Sequence, residues 1–421
     1  MQTNYDVIVA GGGTAGVVAA IQAARAGSRV LLVEKNGMLG GTMTVAGVAF
    51  PGLFHAWGRQ VIAGIGWELV QSCLRESGRE LPDFTNPAAR HWELQVRLDG
   101  PIYAALCDEA VLDSGAKLLL HAMPVSARRI KGMWKLDLAT KTGLRQVTAR
   151  ALVDCTGDAN LAAMAGARLR KSREVQPGTL LCNASGYDLA KLDMQLINRR
   201  FCQAVKSGRL LAADAGWNTL WPDLAWLRHH GNNANHIAVS RGETSEGRTQ
   251  AEVAARQSLL RVYRFLRKQP GLENLHIDWL AAECGLRETV TVVGESAVTM
   301  KDYFSGRVWD DAVCYSFYPI DLHQYSGSGL DCRTLPQGTV PTLPRGALVP
   351  AGLDGLLVAG RCISSDRLAN SALRVQASCM ATGQAAGGMA ALMAASGARA
   401  MDLPMTRVRT LLRRYGAIVP V

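Results

Sequence analysis

A glycine turn set between two apolar runs constrains this chain more than any other feature. The run Val7–Ala10 reads as a buried strand. It passes into Gly11-Gly-Gly13-Thr14-Ala15-Gly16, after which the Ala-rich stretch Val17–Ala26 reads as a helix and Val30–Val33 as a second strand ending in Glu34. Each part has a task in holding a dinucleotide. Gly11 allows the tight turn, Gly13 lets backbone approach a pyrophosphate, and Gly16 lets helix and strand pack closely. The helix N-terminus offers unpaired N–H groups and a positive dipole end to the phosphates. Glu34 is placed to accept hydrogen bonds from a ribose.

The residues that follow narrow the choice of dinucleotide. After Glu34-Lys35 comes Asn36-Gly-Met-Leu-Gly40-Gly41-Thr42-Met-Thr44, which resembles the double-glycine motif of FAD-dependent oxidoreductases. The tail carries an independent match, Gly355-Leu-Leu-Val-Ala-Gly360-Arg361-Cys-Ile-Ser364 and then Asn370-Ser-Ala-Leu373-Arg374 running on to Gly387. Further matches are Ala151-Leu-Val-Asp-Cys-Thr156-Gly157-Asp158, Gln176-Pro-Gly-Thr-Leu180, Arg287-Glu-Thr289 and Tyr318-Pro-Ile-Asp-Leu-His323. From residue 5 to about residue 395 the chain is similar to bacterial FAD-dependent oxidoreductases, relatives of the fumarate reductase and glutathione reductase superfamily. The resemblance implies FAD bound along Gly11, Gly13, Thr14, Ala15, Gly16, Glu34, Lys35, Gly40, Gly41 and Thr42. It also implies contacts from Thr156, Gly157, Asp158, Gly360, Arg361, Leu373 and Arg374, with the adenine near the backbone of Val125. Many relatives carry an aspartate on the ribityl chain where Arg361 stands, so a phosphate contact is expected of Arg361.

Composition bounds the rest. With 421 residues, 48% hydrophobic and 19% charged, the chain is long enough for two domains or for one with a large insert, and too apolar to be disordered. Its 43 glycines exceed the usual share of about 7%. The uncharged stretches Asn36–Gly58 and Val375–Ala398 are broken by glycines and polar residues, so no membrane span is expected. The first strand begins within a few residues of Met1, which leaves no room for a signal peptide and predicts a cytoplasmic protein. The 10 cysteines form no C-x-x-C pair and no metal-spaced cluster, so no metal site is expected. The net charge of +11 raises the possibility of a nucleic-acid partner. Arg256, Arg261, Arg264, Arg267 and Lys268, however, surround an apolar stripe and read as the solvated side of a surface helix, so no nucleic acid is expected.

The expected architecture is α/β: a Rossmann-like FAD-binding domain of parallel sheet, helices and a β-ribbon, with an inserted α+β cap or substrate domain. A helical pattern in Arg90–Ser114 precedes the strand Lys117–Leu120, Val125–Thr148 reads as a β-ribbon, and Leu152–Cys155 as another buried strand. From about Leu169 the pattern changes: tryptophans appear (Trp217, Trp221, Trp226, Trp279, Trp309), with a polar loop Arg228–Asn235 and a long helix near Glu246–Lys268. Strand-like runs at Glu288–Gly294 and Val313–Ile320 follow. The expected division is 1–168 and 343–421 for the FAD domain and 169–342 for the insert, with the site in the cleft between them.

Flavin carries the redox chemistry, and the protein supplies position and electrostatics. The segment Val375–Gly387, with Arg374 at its head, would stabilise negative charge on the reduced ring; its small residues equally suit tight helix packing. His323 is the leading candidate for proton transfer near the flavin, because histidine titrates near working pH. Asp321, an alternate residue on the same strand, orients it where the chain bends. Arg287, beside Glu288, reads as an interdomain ion pair or a carboxylate receptor, and His55 is a second proton-transfer candidate. Cys362 and Cys379 flank the flavin segment without forming a redox motif.

The leading expectation is hydride transfer between a small-molecule substrate and FAD, with oxygen, a quinone or a protein closing the cycle. No second G-x-G-x-x-G is present for a nicotinamide: Gly327-Ser-Gly329 lacks the third glycine. The alternatives are a tRNA- or other nucleic-acid-modifying flavoprotein, and a double-glycine protein resembling thiazole-forming enzymes that does not turn over flavin.

Overall fold

The computed structural model describes residues 3–86, 89–214, 224–234, 236–239, 241–324 and 329–421. Trp217, Trp221, Asn235 and the Gly327-Ser pair lie outside the described residues. At the centre is a seven-stranded sheet. Its strands are β1 (Asn4–Ala10), β2 (Val30–Val33), β3 (Lys117–Leu119), β4 (Met123–Ile130), β5 (Met133–Thr140), β6 (Gly143–Asp154) and β7 (Leu356–Val358). The order is β3-β2-β1-β6-β5-β4, with β7 also paired to β6. The parallel strands β1 and β2 are continuous apolar runs because helices cover both faces of such a sheet. Their register sets Val7 opposite Val30 on one side and Ala151 on the other.

Strand β6 joins two structures that read separately in the sequence. Its first half pairs antiparallel with β5 and completes the ribbon. Its second half runs parallel to β1 and β7 and carries Asp154 to the same sheet edge as Ala10. The five helices that bear on the site are α1 (Thr14–Arg25), α2 (Gly100–Asp113), α3 (Ser245–Leu266), α4 (Arg367–Leu373) and α5 (Gln376–Ser396).

Two elements differ from the sequence pattern. The helical pattern of Arg90–Ser114 becomes helix only from Gly100. Asp99 caps it by accepting from the Ile102 N–H at 3.2 Å, and Pro101 sits in the first turn, the one place where its missing N–H costs nothing. The run Val313–Ile320 is two strands. Ala312–Tyr315 pairs with Thr342–Pro344, and Ile320–His323 pairs with Leu330–Arg333. Between them the Tyr303 hydroxyl donates to the Tyr318 carbonyl and accepts from its N–H, both at 3.0 Å, which removes that peptide from any ladder.

Buried apolar side chains form three clusters. The largest unites the sheet and its helices with residues 290–349 and the tail. Two smaller ones are built from residues 180–286, and α3 serves both: Val262 and Leu266 in one, Ala251 and Ala255 in the other. Arg256 and Arg264 lie on the exposed side of α3, and Arg267 and Lys268 are exposed just past its end. Arg261 is not simply solvated: it donates to the buried Asp214 at 2.8 and 3.0 Å. Among the described residues no helix is long and apolar enough to cross a membrane.

Candidate active site

The glycines of the first turn have different physical reasons. Gly11 has φ +95°, and a Cβ on it would lie 2.5 Å from the Cys155 carbonyl oxygen; one on Gly16 would lie 1.8 Å from that of Gly11. Both positions are closed by the protein itself. Gly13 is open: an added Cβ would meet nothing nearer than the Gly41 Cα at 3.9 Å. The double-glycine segment is pinned beside it, with the Gly40 N–H donating to the Gly12 carbonyl at 2.8 Å and Gly13 bridging to Gly40. Two helical turns therefore start face to face, at Gly13 and Gly40, and neither has a side-chain cap. Helix α5 also starts uncapped, at Val375, whereas Asp99, Thr244 and Asp366 cap α2, α3 and α4. Helix starts without a side-chain cap suit a pyrophosphate and a flavin carbonyl, although in α5 the Ala377 N–H already donates to the Pro51 carbonyl at 2.8 Å.

Glu34 is buried, with Oε2 accepting from the Gly12 N–H at 2.6 Å and Oε1 from the Asn36 N–H at 2.8 Å. Burial raises its pKa, and the two backbone donors oppose that rise. Each oxygen keeps a lone-pair direction for a ribose hydroxyl. Lys35 forms an ion pair with Glu283. The chain after β3 returns along this edge, the Ala122 N–H donating to the Glu34 carbonyl at 3.0 Å. The β4–β5 register slips between Pro124 and Ser126, so Val125 has no opposite residue in the ladder. Its backbone therefore stands apart from the ladder pairing.

At the end of β6, the buried Asp154 accepts from the Thr156 N–H at 2.9 Å, the Thr156 hydroxyl at 2.7 Å and the Ala162 N–H at 2.7 Å. This fixes the Thr156-Gly157 turn against Gly11. Asp158 is buried too. Arg361 pairs with it, Arg248 lies at 2.8 Å and the Thr289 hydroxyl donates at 2.9 Å. Burial alone would raise the Asp158 carboxyl, but Arg361 and Arg248 outweigh it and hold the group below the usual range. The Arg361 guanidinium also donates to the Gly157 and Leu286 carbonyls, so all three of its nitrogens are engaged by the protein. Gly360, at φ +83°, passes 3.2 Å from the Ala15 side chain in the sense of an added Cβ.

A second centre lies at the N-terminus of α5. Arg374, one residue before the cap position, donates to the Gln176 side-chain oxygen at 3.2 Å, and to the Asp321 carbonyl at 3.0 Å and carboxylate at 3.2 Å. Asp321 and His323 share a strand face, with Nε2 3.4 Å from the carboxylate. Nδ1 of His323 lies 3.2 Å from Nε2 of His236. Burial and the Arg287 charge lower the His323 pKa to about 4, against the opposing pull of Asp321. Burial, Arg287 and His323 lower that of His236 to about 2. Both rings are neutral near pH 7. Asp321 stays ionised, because His323 and the two arginines overcome its desolvation. Arg287 donates to the Pro177 carbonyl and the Thr179 hydroxyl at 2.8 Å and to Asn233 at 3.0 Å.

The structure thus brings His323, Arg287 and Arg374 into one cluster, and Leu373 lies buried beside it. His55 stands elsewhere. It stacks on Phe84 at 3.7 Å and meets the Trp67 edge at 5.6 Å, and among the described residues no hydrogen bond or ion pair joins it to His323 or Arg287. The sequence reading did not single out His236, Asn233, Arg248 or the amide of Gln176 as site residues. Gln176 left a signal in the motif Gln176-Pro-Gly-Thr and Asn233 lies in the polar loop Arg228–Asn235, but no local pattern marks His236 or Arg248.

A model of the FAD-dependent oxidoreductase family matches residues 6–412. A 53-residue segment is 51% identical to dihydrolipoyl dehydrogenase of Trypanosoma brucei brucei, covering 12% of this chain and 11% of that enzyme, so the match spans only a small part of that relative. Among solved structures, a geranylgeranyl bacteriochlorophyll reductase-like protein of Thermoplasma acidophilum matches at 13% identity and a TM-score of 0.47, over 98% of this chain and 82% of that one. The anhydrotetracycline hydroxylase OxyS of Streptomyces rimosus matches at 13% identity and a TM-score of 0.46, over 98% and 66%. With the family match spanning almost the whole chain, and with uncapped helix starts where a flavin dinucleotide would lie, this protein belongs to the FAD-dependent oxidoreductases and uses FAD as its cofactor.

Proposed function

We propose that a small organic substrate exchanges hydride directly with FAD in the cleft between the FAD domain (residues 1–168 and 343–421) and the insert (169–342), with no nicotinamide domain in the chain. The observation that carries this reading is the buried cluster of Arg287, Arg374, Asp321, His323 and His236 at the uncapped start of α5. Bound FAD supplies the hydride acceptor or donor. Gly13, Gly41, Glu34 and the Thr156–Asp158 turn hold the dinucleotide. The positive end of α5 and Arg374 favour negative charge beside them. His323, neutral and oriented by Asp321, takes or returns the substrate proton at Nδ1, and His236 beside that atom extends the path by which the proton moves. Arg287 and the more distant His55 complete the ionisable groups of the cap side. Oxygen, a quinone or a partner protein would close the cycle.

The test is an anaerobic screen of small alcohols, amines and acids that follows bleaching of the flavin. His323→Ala, Arg287→Ala and His55→Ala should slow bleaching by the active compound, with His323→Ala falling about 10²-fold or more, while FAD content stays unchanged. Wild-type rates in all three variants would overturn the assignment. NADH and NADPH should bleach the flavin far more slowly than turnover, below about 1 s⁻¹; fast bleaching by either would refute direct transfer from the substrate.

A further inference from the structure

The residues around Arg287 hold more positive charge and more hydrogen-bond donors than the protein itself uses. Arg287 is 9% exposed, and its three bonds go to a carbonyl, a hydroxyl and an amide oxygen, all neutral. Among the described residues no carboxylate lies within ion-pairing distance of it. Asp321, the one carboxylate in the cluster, is paired with Arg374. Since His323 and His236 are neutral near pH 7, the cluster keeps one positive charge in excess. A buried cation without a counter-ion is expensive to maintain, because desolvation is not repaid by neutral acceptors.

The orphaned donors belong to the same cluster. Gln176 is 1% exposed. Its oxygen accepts from the His323 N–H at 3.1 Å and from Arg374, which leaves its amide nitrogen as a buried donor with no partner. The Arg374 Nε is a second buried donor without a partner. Buried donors of this kind are usually satisfied by an ordered water, an ion or a ligand, and two of them beside the Arg287 guanidinium favour an anion. An excess cation with two unmet N–H donors describes a receptor for a planar anion, and a carboxylate matches it in charge, in size and in its ability to accept several hydrogen bonds.

We propose that this cluster anchors a carboxylate of the substrate, with Arg287 supplying the charge and Gln176 Nε2 and Arg374 Nε the further donors. This rests on the substrate cleft proposed above and assigns the class of molecule that enters it. Glu288, the nearest alternative anion in sequence, is already held by Arg367 at 3.1 Å and by the Gln176 N–H at 3.0 Å, so it does not supply the missing charge.

The test uses FAD-loaded protein and binding alone, by calorimetry and by the shift of the flavin absorbance band. Succinate and benzoate are the probes, with succinamide and benzamide as matched neutral controls. Wild-type protein should bind at least one acid about tenfold or more tightly than its amide. Arg287→Gln should abolish that preference, and Arg287→Lys should restore part of it. FAD content measured on each variant separates loss of the anchor from loss of the fold. Equal binding of acids and amides by wild-type protein, or binding of neither acid, would overturn the proposal without reference to any variant. So would an Arg287→Gln protein that keeps the preference, or one whose only defect is lost FAD, which would assign the charge to the cofactor. Because no turnover is required, a carboxylate preference in a protein that never bleaches would refute the hydride reading and leave the anchor standing.

Discussion

Gly13 and Gly16 look equivalent in the motif, but the structure separates them. Gly13 has φ −72° and ψ −174°, an extended conformation that valine adopts readily, and the space beyond its Cα is free of protein atoms to 3.9 Å. Gly13→Val should therefore fold with a near wild-type melting temperature yet show no flavin absorbance, because the side chain fills the pyrophosphate's place. Gly16→Val drives a side chain into the Gly11 carbonyl at 1.8 Å, so it should lower stability or prevent folding whether or not FAD is added. Absorbance at the flavin band together with a thermal melt distinguishes the two. A Gly13→Val protein that still binds FAD would mean the phosphates lie elsewhere.

Among elements, the contact between α1 and α5 shows how a small-residue stripe acquires its role. A Cβ on Gly383 would lie 2.2 Å from the Ala15 carbonyl oxygen, and one on Gly387 2.3 Å from that of Ala19. The spacing of four places both glycines on one face, and the two helix backbones touch there. Small residues in Val375–Gly387 thus have a packing role at Gly383 and Gly387, while the head of the same helix has no side-chain cap. Gly387→Leu should separate the helices and cost about 1–3 kcal/mol or more, read as a lowered melting temperature in both the FAD-loaded and the FAD-free protein. An unchanged melt would show that the helices can slide apart without penalty.

For the molecule as a whole, the buried cluster gathers residues from five separated stretches, at Gln176, His236, Arg287, Asp321–His323 and Arg374, so its titration reports on the entire fold. His323 and His236 have pKa values in the folded state far below the ordinary 6.5. Between that value and the folded ones the unfolded chain binds more protons, so acid favours unfolding. Stability should be fullest above about pH 6.5 and decline as pH falls, the His323 part ending near 4 and the His236 part continuing toward 2. Asp321, held low by His323 and the arginines, adds a loss below about pH 4. Melting temperatures from pH 8 to pH 4 should show this, and His236→Asn should flatten the upper part of the slope. A melting temperature that stays level from pH 7 to pH 5 would mean the histidines are not buried neutral.

The turn at Gly11–Gly16, the acid at Glu34, the double glycine at Gly40-Gly41 and the tail at Gly360-Arg361 were legible in the sequence because their work is local. A strand, a tight turn and an uncapped helix start are encoded by residues a few positions apart, and so is the choice of α/β architecture with FAD as cofactor. Tertiary structure alone decided what the ionisable side chains face. Arg361 could be read as a phosphate ligand, but its guanidinium is held by Asp158 and two carbonyls from distant segments. His55 and His323 carry the same chemistry in the sequence, yet one stacks in an aromatic cluster and the other lies between Asp321 and His236. His236 gave no sign at all. Burial and charge at a site are sums over elements that meet only when the chain is folded, and no spacing along the sequence records them.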